Sequence, residues 1–414
     1  MSFRTAISGI RSATADLSTI GNNVANANTT GFKQSRTEFS DVFASSSTGV
    51  SSNATGQGVN TSRVAQQFTQ GNITFTDNNL DLAISGNGFF VVDDNGSQLY
   101  SRDGAFGIDR DGFVVNSNSQ KLKAFGADST GAINGTLGSL RISTANTSPK
   151  ATSLVNFGAN LDSQETVPTI GVFDPANNSS FNSTTATTVY DSLGGSHLLQ
   201  LYFVKTGDGA WNLHSYVDGT SVGGTVDATG APLTVSNPLT FNSAGALASP
   251  ATGLVTIPDF TPAGGGSPIT LSLNVTEMTQ YGAPFGVNRV TQDGYTTGRL
   301  ASVDIDATGT VFARYTNGQS SVQGQVALAN FPNPQGLRSL GRNNWAETFE
   351  AGAVLVGAPS TASLGTIQSG ALEDSNIDLS EQLVKLIVAQ RNFQANTQVI
   401  QAEDQANQAI INIR

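Results

Sequence analysis

Apolar residues recur at helical spacing near the start of the chain. They stand at Phe3, Ile7, Ile10, Leu17 and Val24. Steps of three and four positions keep side chains on one face of a helix. The pattern therefore predicts an amphipathic helix, and the asparagines crowded into residues 21–28 indicate its end.

A second helix is indicated at the other end of the chain. Asp378 followed by Glu381 fits a capping box, in which the first residue caps the opening turn. Residues 379–414 contain neither Gly nor Pro. The apolar seam of this predicted helix consists of Leu379, Leu383, Leu386, Phe393 and Ile400.

The stretch between the two helices has a β pattern. Short apolar runs alternate with Asp-Gly and Asn-Gly pairs, which favour tight hairpin turns. Short strands with frequent turns are typical of sandwich or barrel modules. We expect a mainly β fold of discontinuous sandwich- or barrel-like domains with α-helices at both ends. Strands are predicted at 89–92, 114–115, 199–204, 269–275, 303–305 and 322–328.

Composition removes most kinds of chemistry. The 414 residues include 44 Ser, 45 Thr, 35 Asn and 45 Gly, about 40% of the chain, and only 12% are charged. There is no Cys and there are two His, so disulfides, thiolate zinc sites and histidine-rich metal sites are not expected. A net charge of −11 does not suit nucleic acid. We predict no catalytic, metal or cofactor site.

Local motifs agree with that expectation. The run at 86–91 begins like a dinucleotide fingerprint but enters a strand, and the run at 77–88 lacks the turn glycine of a calcium loop. Aspartate pairs such as Asp109 and Asp111 are suited to glycoside hydrolysis, although Asp is also favoured in turns for structural reasons. An extracellular carbohydrate-active β protein remains an alternative from a different class.

Charge is distributed unevenly. Residues 1–36 carry +3, residues 373–414 carry −3, and residues 151–288 carry −8. Helices of opposite charge suit side-by-side pairing, and isolated helices of this kind gain order by burying a seam against partners. We expect the terminal helices to pair in an assembled filament, so polymerisation is the predicted use of the ends. No run of residues is apolar enough for a secretory signal or a membrane span, and membrane insertion is not expected.

Several sequence blocks resemble the bacterial flagellar rod and hook axial proteins. The N-terminal block spans 22–33 and includes Asn26, Gly31, Phe32 and Lys33. Further blocks cover 80–90, 100–106, 111–115, 326–337 and 370–379. The remaining residues that carry the resemblance are Gly86, Gly88, Phe89, Phe90, Gln390 and Arg391.

The resemblance implies a domain organisation. Rod members of this family are shorter, whereas this chain inserts about 130 residues between the shared blocks, which is similar to hook members. The expected division is 1–36 with 373–414 as helical inner segments and 37–70 as a linker. Residues 71–150 with 289–372 would form a discontinuous β domain, and 151–288 an inserted outer β domain. A distal-rod-like subunit of the same family is the alternative.

The resemblance also implies a function and partners. Members polymerise into a tube, and the hook is a flexible joint that passes motor torque to the filament. The implied partners are copies of the chain, the distal rod, the hook cap, the hook–filament junction proteins and the flagellar type III export apparatus. Such a subunit would be extracellular and exported without a cleaved signal peptide, and a cysteine-free chain suits that route.

Overall fold

The computed structural model describes residues 2–42, 56–128, 130–222 and 236–412. The chain divides into two compact units. Unit 1 consists of Met1–Thr144, Ala301–Arg314 and Ser320–Arg414, and unit 2 consists of Ala145–Leu300 and Tyr315–Gln319. Unit 2 is wider than the insertion expected at 151–288, because it also includes short strand bridges at 147–150 and 295–298.

Unit 1 begins with helix α1 (Ser2–Ala25). The strands that follow it are β1 (Ser35–Asp41), β2 (Val59–Gln66), β3 (Ile73–Phe75), β4 (Leu82–Ser85), β5 (Phe89–Asp94), β6 (Ser97–Ser101), β7 (Phe106–Ile108), β8 (Val114–Asn116), β9 (Lys121–Ala127) and β10 (Ile133–Ser139).

Unit 2 contains the next set of strands. These are β11 (Leu154–Asp162), β12 (Ser183–Tyr190), β13 (Ser196–Gly207), β14 (Ala210–Val217), β15 (Thr220–Ser221), β16 (Ser236–Phe241), β17 (Leu247–Ser249), β18 (Leu254–Phe260), β19 (Ile269–Asn274), β20 (Thr279–Tyr281) and β21 (Gly286–Gln292).

The chain then returns to unit 1 and ends in helix α2 (Leu379–Asn412). The strands before α2 are β22 (Leu300–Ile305), β23 (Thr310–Tyr315), β24 (Ser320–Val326), β25 (Leu328–Asn330), β26 (Arg338–Gly341), β27 (Asn344–Ala346), β28 (Leu355–Gly357), β29 (Thr366–Ser369) and β30 (Ala371–Glu373). Three single-turn 3₁₀ helices lie at Asn178–Ser180, Pro334–Gly336 and Phe349–Ala351.

Unit 2 is a β-sandwich. A five-stranded sheet contains β18, β19, β11, β20 and β21, and a six-stranded sheet contains β12 to β17. Alternate residues of β11 and β13 enter one shared core, where the rings of Phe157 and Phe203 stack with centroids 5.7 Å apart. Period-two burial on both sheets is what defines a sandwich, so the sandwich expectation is confirmed for this unit.

The β part of unit 1 is built around one thirteen-stranded sheet with branches. Its path runs β22-β23-β24-β9-β5-β6-β27-β26. The apolar run of β5 is buried on both sides, and Phe89, Tyr100, Phe331 and Trp345 form an aromatic core beside it. Edge-to-face packing holds these rings, as between Tyr100 and Phe331 with centroids 4.7 Å apart.

The expected linker at 37–70 differs from the structure in the described part. Strands β1 and β2 pair antiparallel, from Ser35 with Gln66 to Asp41 with Val59. Their alternating Thr, Arg and Val residues suit a strand, and the Ser- and Gly-rich composition concealed this. The rest of the expected linker, 43–55, lies outside the described residues, as do the last two residues of the expected C-terminal segment.

Candidate assembly interface

The two terminal helices pack against each other in antiparallel fashion. A Cβ on Gly9 would overlap the side chain of Asn396, whereas Asn23 contacts Gln382 near the opposite end of the pair. Small residues let the backbones approach closely. The buried positions of this contact that are apolar are Ala6, Ala13, Ile20 and Ala389.

The predicted seam residues are partly covered or exposed in a single chain. On α1, Phe3 is 42% exposed, and Ile7, Ile10, Leu17 and Val24 are half-buried. On α2, Leu379, Leu383 and Phe393 are exposed, and Leu386 and Ile400 are half-buried. A single chain therefore leaves much of the predicted seam uncovered. The repeat of small residues seven positions apart, Ala6 and Ala13, was the signal for the face that α1 uses.

The first half of α2 carries a wide exposed apolar face. Leu383, Val384, Ile387 and Val388 are each about half exposed or more. Successive residues of a helix point about 100° apart, so these four side chains span about 140° of the circumference. In a single chain this face is open to water.

An amide network holds the base of the helix pair. The side chain of Asn23 exchanges hydrogen bonds with the Ser35 backbone, at 2.8 and 2.9 Å, and donates to Gln382 Oε1 at 3.3 Å. Gln382 Nε2 donates to Gln34 Oε1 at 3.1 Å. The Gln34 N–H donates to Asn376 Oδ1 at 2.8 Å. Buried amides of this kind fix register because every unpaired one would be costly.

The N-cap of α2 follows the sequence expectation. Asp378 Oδ1 accepts the N–H groups of Ser380 and Glu381 at 2.8 and 3.2 Å. The cap directs the chain from β30 into the helix. Asp378 is therefore confirmed as the N-cap.

A buried ionic triad lies where the N-terminal and C-terminal segments meet the β part of unit 1. Lys33 Nζ donates to Glu373 Oε1 at 2.6 Å, and Arg102 Nη1 donates to Glu373 Oε2 at 3.0 Å. The side chains of Lys33 and Glu373 are fully buried and that of Arg102 is 5% exposed. Burial lowers the pKa of Lys33 and of Arg102, and the Glu373 carboxylate opposes both shifts. Two cations thus share one carboxylate.

Backbone groups complete the triad. Lys33 Nζ also donates to the Thr69 carbonyl at 2.7 Å, and the Gly71 N–H donates to Glu373 Oε1 at 2.9 Å. Arg102 Nη2 donates to the Gly86 carbonyl at 2.8 Å. The cations therefore have further partners, as a buried ion pair requires.

The family-motif residues Gly31, Lys33, Gly86 and Phe89 converge on this triad. The Gly31 N–H donates to the Glu373 carbonyl at 2.7 Å, and a Cβ on Gly31 would stand 2.6 Å from the Arg102 backbone. The Arg102 guanidinium lies over the Phe89 ring at 5.5 Å. Gly31 and Gly86 both have positive φ, at 68° and 109°.

The other motif residues are elsewhere. Asn26 closes the turn after α1 by accepting from Thr29 Oγ1 at 3.2 Å. Gly88, with φ of 128°, precedes β5, and Phe90 in that strand is buried against Phe106. Phe32 is half-buried, and Gln390 and Arg391 lie exposed on α2.

Sequence reasoning missed Arg102 and Glu373 as members of the site, together with Asn23 and Gln382. All four stand within or beside quoted motif blocks or seam positions. The available signal for Arg102 and Glu373 was that each is a charged residue within a motif block, in a chain that is only 12% charged. Pairing between blocks that far apart in sequence is set by the tertiary fold.

Other chemistry is sparse in the part of the chain that the structure describes. Among those residues, no group of three or more His, Asp or Glu is placed to hold a metal ion. Within the same ranges, none of the helices combines the length and the apolar character needed to cross a membrane.

Four family models match successive parts of the chain. The flagella basal body rod protein model matches 3–33, and the flagellar hook protein FlgE/F/G D1 domain matches 83–155. The flagellar basal body protein FlaE D2 domain matches 160–295, and the flagellar basal body rod FlgEFG protein C-terminal model matches 368–413.

Full-length relatives decide the family. The flagellar hook protein FlgE of Escherichia coli strain K12 is 38% identical over 425 residues, and that of Salmonella typhimurium is 39% identical over 419, each covering 100% of both chains. The chain belongs to the flagellar hook protein family. Rhizobium meliloti has a hook protein FlgE that is 34% identical over 99% of this chain and 98% of its own length.

A solved structure of a hook protein shares the fold. The crystal structure of Helicobacter pylori flagellar hook protein FlgE2 matches with a TM-score of 0.52 at 16% identity, over 72% of this chain and 100% of that chain. A mainly β hook-family architecture with terminal helices is thereby confirmed. The matched D2 model at 160–295 lies within unit 2, and the terminal models coincide with α1 and α2.

Proposed function

We propose that this hook-family chain polymerises through its terminal helices into the tube of the flagellar hook. The observation that carries the proposal is the exposed apolar face in the first half of α2. Leu383, Val384, Ile387 and Val388 are between 49% and 62% exposed. In a monomer these side chains contact water, and in a polymer they contact neighbouring copies.

Burying these side chains between copies would contribute part of the free energy of assembly. Fully burying one Leu, Val or Ile side chain contributes about 1.5–3 kcal/mol. Half-exposed side chains offer about half of that each, and α2 carries several. Association also costs ordering entropy, so assembly requires contacts along much of the helix. The predicted seam from Leu379 to Ile400 provides a face of that length.

The arrangement of the exposed residues favours more than one neighbour. Leu379 and Leu383 lie on one side of α2, whereas Val384 and Val388 lie on another. One partner helix covers only one such stripe. Neighbours on both sides would give a closed, multi-contact lattice, as a tube wall requires.

The β units then form the outer part of the tube. Their surfaces are rich in Ser, Thr, Asn and Gly, and exposed polar contacts are weak and replaceable by water. We infer that such surfaces slide while the helices stay bonded, so that the hook bends and passes motor torque to the filament as a universal joint. The proposed partners are further copies, the distal rod, the hook cap, the hook–filament junction proteins and the type III export apparatus. The proposed location is extracellular, after export without a cleaved signal peptide.

The alternatives receive less support. A distal-rod-like subunit does not account for the full-length identity to proteins named flagellar hook protein. A carbohydrate-active protein does not account for the exposed faces of α2. In the structure Asp109 accepts the N–H groups of Asp111 and Phe113 at 2.9 and 2.8 Å, which is the structural turn role.

Truncation tests the proposal. A chain ending at Asp378 should remain a folded monomer with the β signal of the full chain, and it should form no tubes under conditions in which the full chain does. Sedimentation and negative-stain electron microscopy measure this. Tubes of normal diameter from the truncated chain would contradict the proposal. An Asp109→Asn chain serves as the control and should assemble normally.

A further inference from the structure

His197 stands between two carboxylates in unit 2. Its Nδ1 lies 2.6 Å from Asp218 Oδ2, and its Nε2 lies 3.3 Å from Asp191 Oδ2. The His197 side chain is 14% exposed and that of Asp191 is 5% exposed. Ionised carboxylates only accept hydrogen bonds, so both ring nitrogens must carry a proton for both bonds to form. The geometry is that of an imidazolium.

The same two carboxylates order the backbone on either side. Asp191 Oδ1 accepts the N–H groups of Leu193 and Gly195 at 2.9 and 2.6 Å. Asp218 Oδ1 accepts the Leu198 N–H at 2.8 Å. The imidazolium thus ties the loop at 191–195 to the turn between β14 and β15.

That loop packs on the base of unit 2, where the chain enters and leaves the unit. A Cβ on Gly194 would stand 3.0 Å from Pro149 Cβ and 3.2 Å from Thr296 Oγ1. The base itself is held by strand bridges at 147–150 and 295–298. On the other side of the loop, Ser192 Oγ accepts the Ser267 N–H at 2.8 Å.

We propose that protonated His197 is a pH-sensitive fastener that holds the 191–195 loop against the base of unit 2 and releases it at alkaline pH. This fastener lies within unit 2 and acts without assembly. Its release is measured as a loss of order in the 191–195 loop of the full chain.

The groups around the ring support this assignment. The Phe260 ring lies 5.4 Å from the imidazole and contributes no charge. Asp259 precedes Phe260 on β18, and its Oδ1 accepts a hydrogen bond from the Thr270 hydroxyl at 2.9 Å. Tyr190, a further titratable residue, lies on the paired strand β12 opposite Ser196. The β18–β19 loop, residues 261–268, contains no charged residue.

The ion pair at the base of unit 2 does not involve the imidazole ring. Lys150 Nζ lies 2.9 Å from Asp293 Oδ2, so the two charges neutralise each other. Asp191 and Asp218 are the carboxylates that hydrogen-bond the ring.

The direction of the pH effect follows from the shifts. Burial would lower the pKa of His197, but its hydrogen bonds to Asp218 and Asp191 outweigh burial and raise it above 6.5. A raised folded pKa means stability that is complete below the unfolded value and is lost as pH rises through the folded value. Burial opposes the shifts of the two aspartates, yet hydrogen bonds lower the pKa of both below 3.8. Their contribution is lost only in acid, as pH falls through those values.

The two histidines of the chain make the titration simple to read. Selective ¹⁵N-histidine labelling of the full chain gives signals from His197 and His214 only. Burial lowers the pKa of His214 to about 4, so the two titrations are separated. We expect the pKa of His197 to lie above the ordinary value of 6.5, with both ring nitrogens protonated below that pKa. A midpoint at or below 6.5, which needs no variant to measure, overturns the proposal.

Two substitutions test whether Asp218 raises the titration midpoint of His197. Asp218→Asn should lower the His197 midpoint, whereas Asp259→Asn, a nearby carboxylate off the ring, should leave it unchanged. Equal midpoints in the wild type and in the Asp218→Asn chain would overturn the proposal.

Hydrogen exchange measures the order of the 191–195 loop directly. After correction for intrinsic exchange rates, protection of the Leu193 and Gly195 amides should fall roughly tenfold between pH 7 and pH 9, since a charge-assisted hydrogen bond is lost. In a His197→Gln chain the corrected protection should be low at both pH values. Unchanged wild-type protection, or a pH dependence retained in the His197→Gln chain, would contradict the fastener.

Discussion

Unit 2 and helix α2 treat their apolar residues in opposite ways. In the sandwich of unit 2, Val155, Phe157, Ala159 and Leu161 of β11 are at most 2% exposed. In α2, Leu383 and Val384 are 51% and 62% exposed. Unit 2 buries its apolar side chains within one chain. Helix α2 leaves apolar side chains exposed, and a single chain does not cover them.

The difference separates the parts of a polymer subunit that complete a core within one chain from the parts that require contacts with other copies. A period-two pattern on two facing sheets closes a core locally. An apolar face left exposed on a helix is buried only when another element packs on it. The triad of Lys33, Glu373 and Arg102 lies in unit 1, where it links the segments beside both helices to the β part of that unit.

Removing the shared carboxylate should have the largest effect. Glu373→Gln leaves Lys33 and Arg102 buried without their counter-charge, and breaking a buried pair in this way costs roughly 3–5 kcal/mol. With two cations affected, we expect the upper end of that range in chemical denaturation. The control is Glu38→Gln, at the exposed pairs with Arg36 and Arg63. Because exposed ion pairs contribute little, that control should cost far less, and equal losses for the two variants would contradict the role of the triad.

A matched pair of leucines sharpens the comparison between regions. Leu201→Ala, in the core of unit 2 and 1% exposed, should lower the free energy of unfolding by about 2–5 kcal/mol. Leu383→Ala, 51% exposed, should change the stability of the monomer by less than about 1 kcal/mol. Denaturation of the monomer followed by circular dichroism measures both. Similar losses would mean that α2 already buries its leucines within one chain.

Gly31→Ala should have a smaller effect. Gly31 has φ of 68°, and a Cβ there would stand 2.6 Å from the Arg102 backbone, so strain of about 1–3 kcal/mol is expected. Gly138→Ala is the control, because nothing lies within 4 Å of its Cβ position. Thermal unfolding should separate the two variants, and a neutral Gly31→Ala would show that this approach is not tight.

The smallest effect is expected at the cap of α2. Asp378→Ala removes the acceptor for the Ser380 and Glu381 N–H groups and should cost about 1 kcal/mol. Amide exchange in the first turn of α2 should rise, while Ser380→Ala leaves it nearly unchanged. Full protection of that turn in Asp378→Ala would mean that packing on α1 alone fixes the start of the helix.

Much of the fold could be predicted from local sequence. The cap at Asp378, the Gly- and Pro-free stretch after it, and the apolar run of β5 depend on neighbours in sequence, and the structure agrees with each. The strand pair β1 and β2 was missed because its register is set by partners about 18 to 31 positions away, not by composition.

The site was less accessible to such reasoning. The seam on α2 was predicted from large apolar residues, and that reasoning left out Gln382, whose side chain accepts a hydrogen bond from Asn23 of α1. Small and amide side chains allow close approach, and periodicity of large residues does not reveal them. Glu373 was likewise hidden, since its two cations come from blocks roughly 270 and 340 positions away.

The most direct test is the critical concentration for tube formation by a Leu383→Ser chain. If Leu383 binds neighbouring copies, replacing this half-exposed side chain should weaken subunit association by about 0.7–1.5 kcal/mol, which is roughly 3- to 13-fold. The denaturation midpoint of the monomer should stay unchanged. Gln394→Ser, an exposed polar position on the same helix, is the matched control and should assemble normally. If Leu383→Ser chains form tubes at the wild-type critical concentration, this face of α2 does not bind neighbouring copies and the account is wrong.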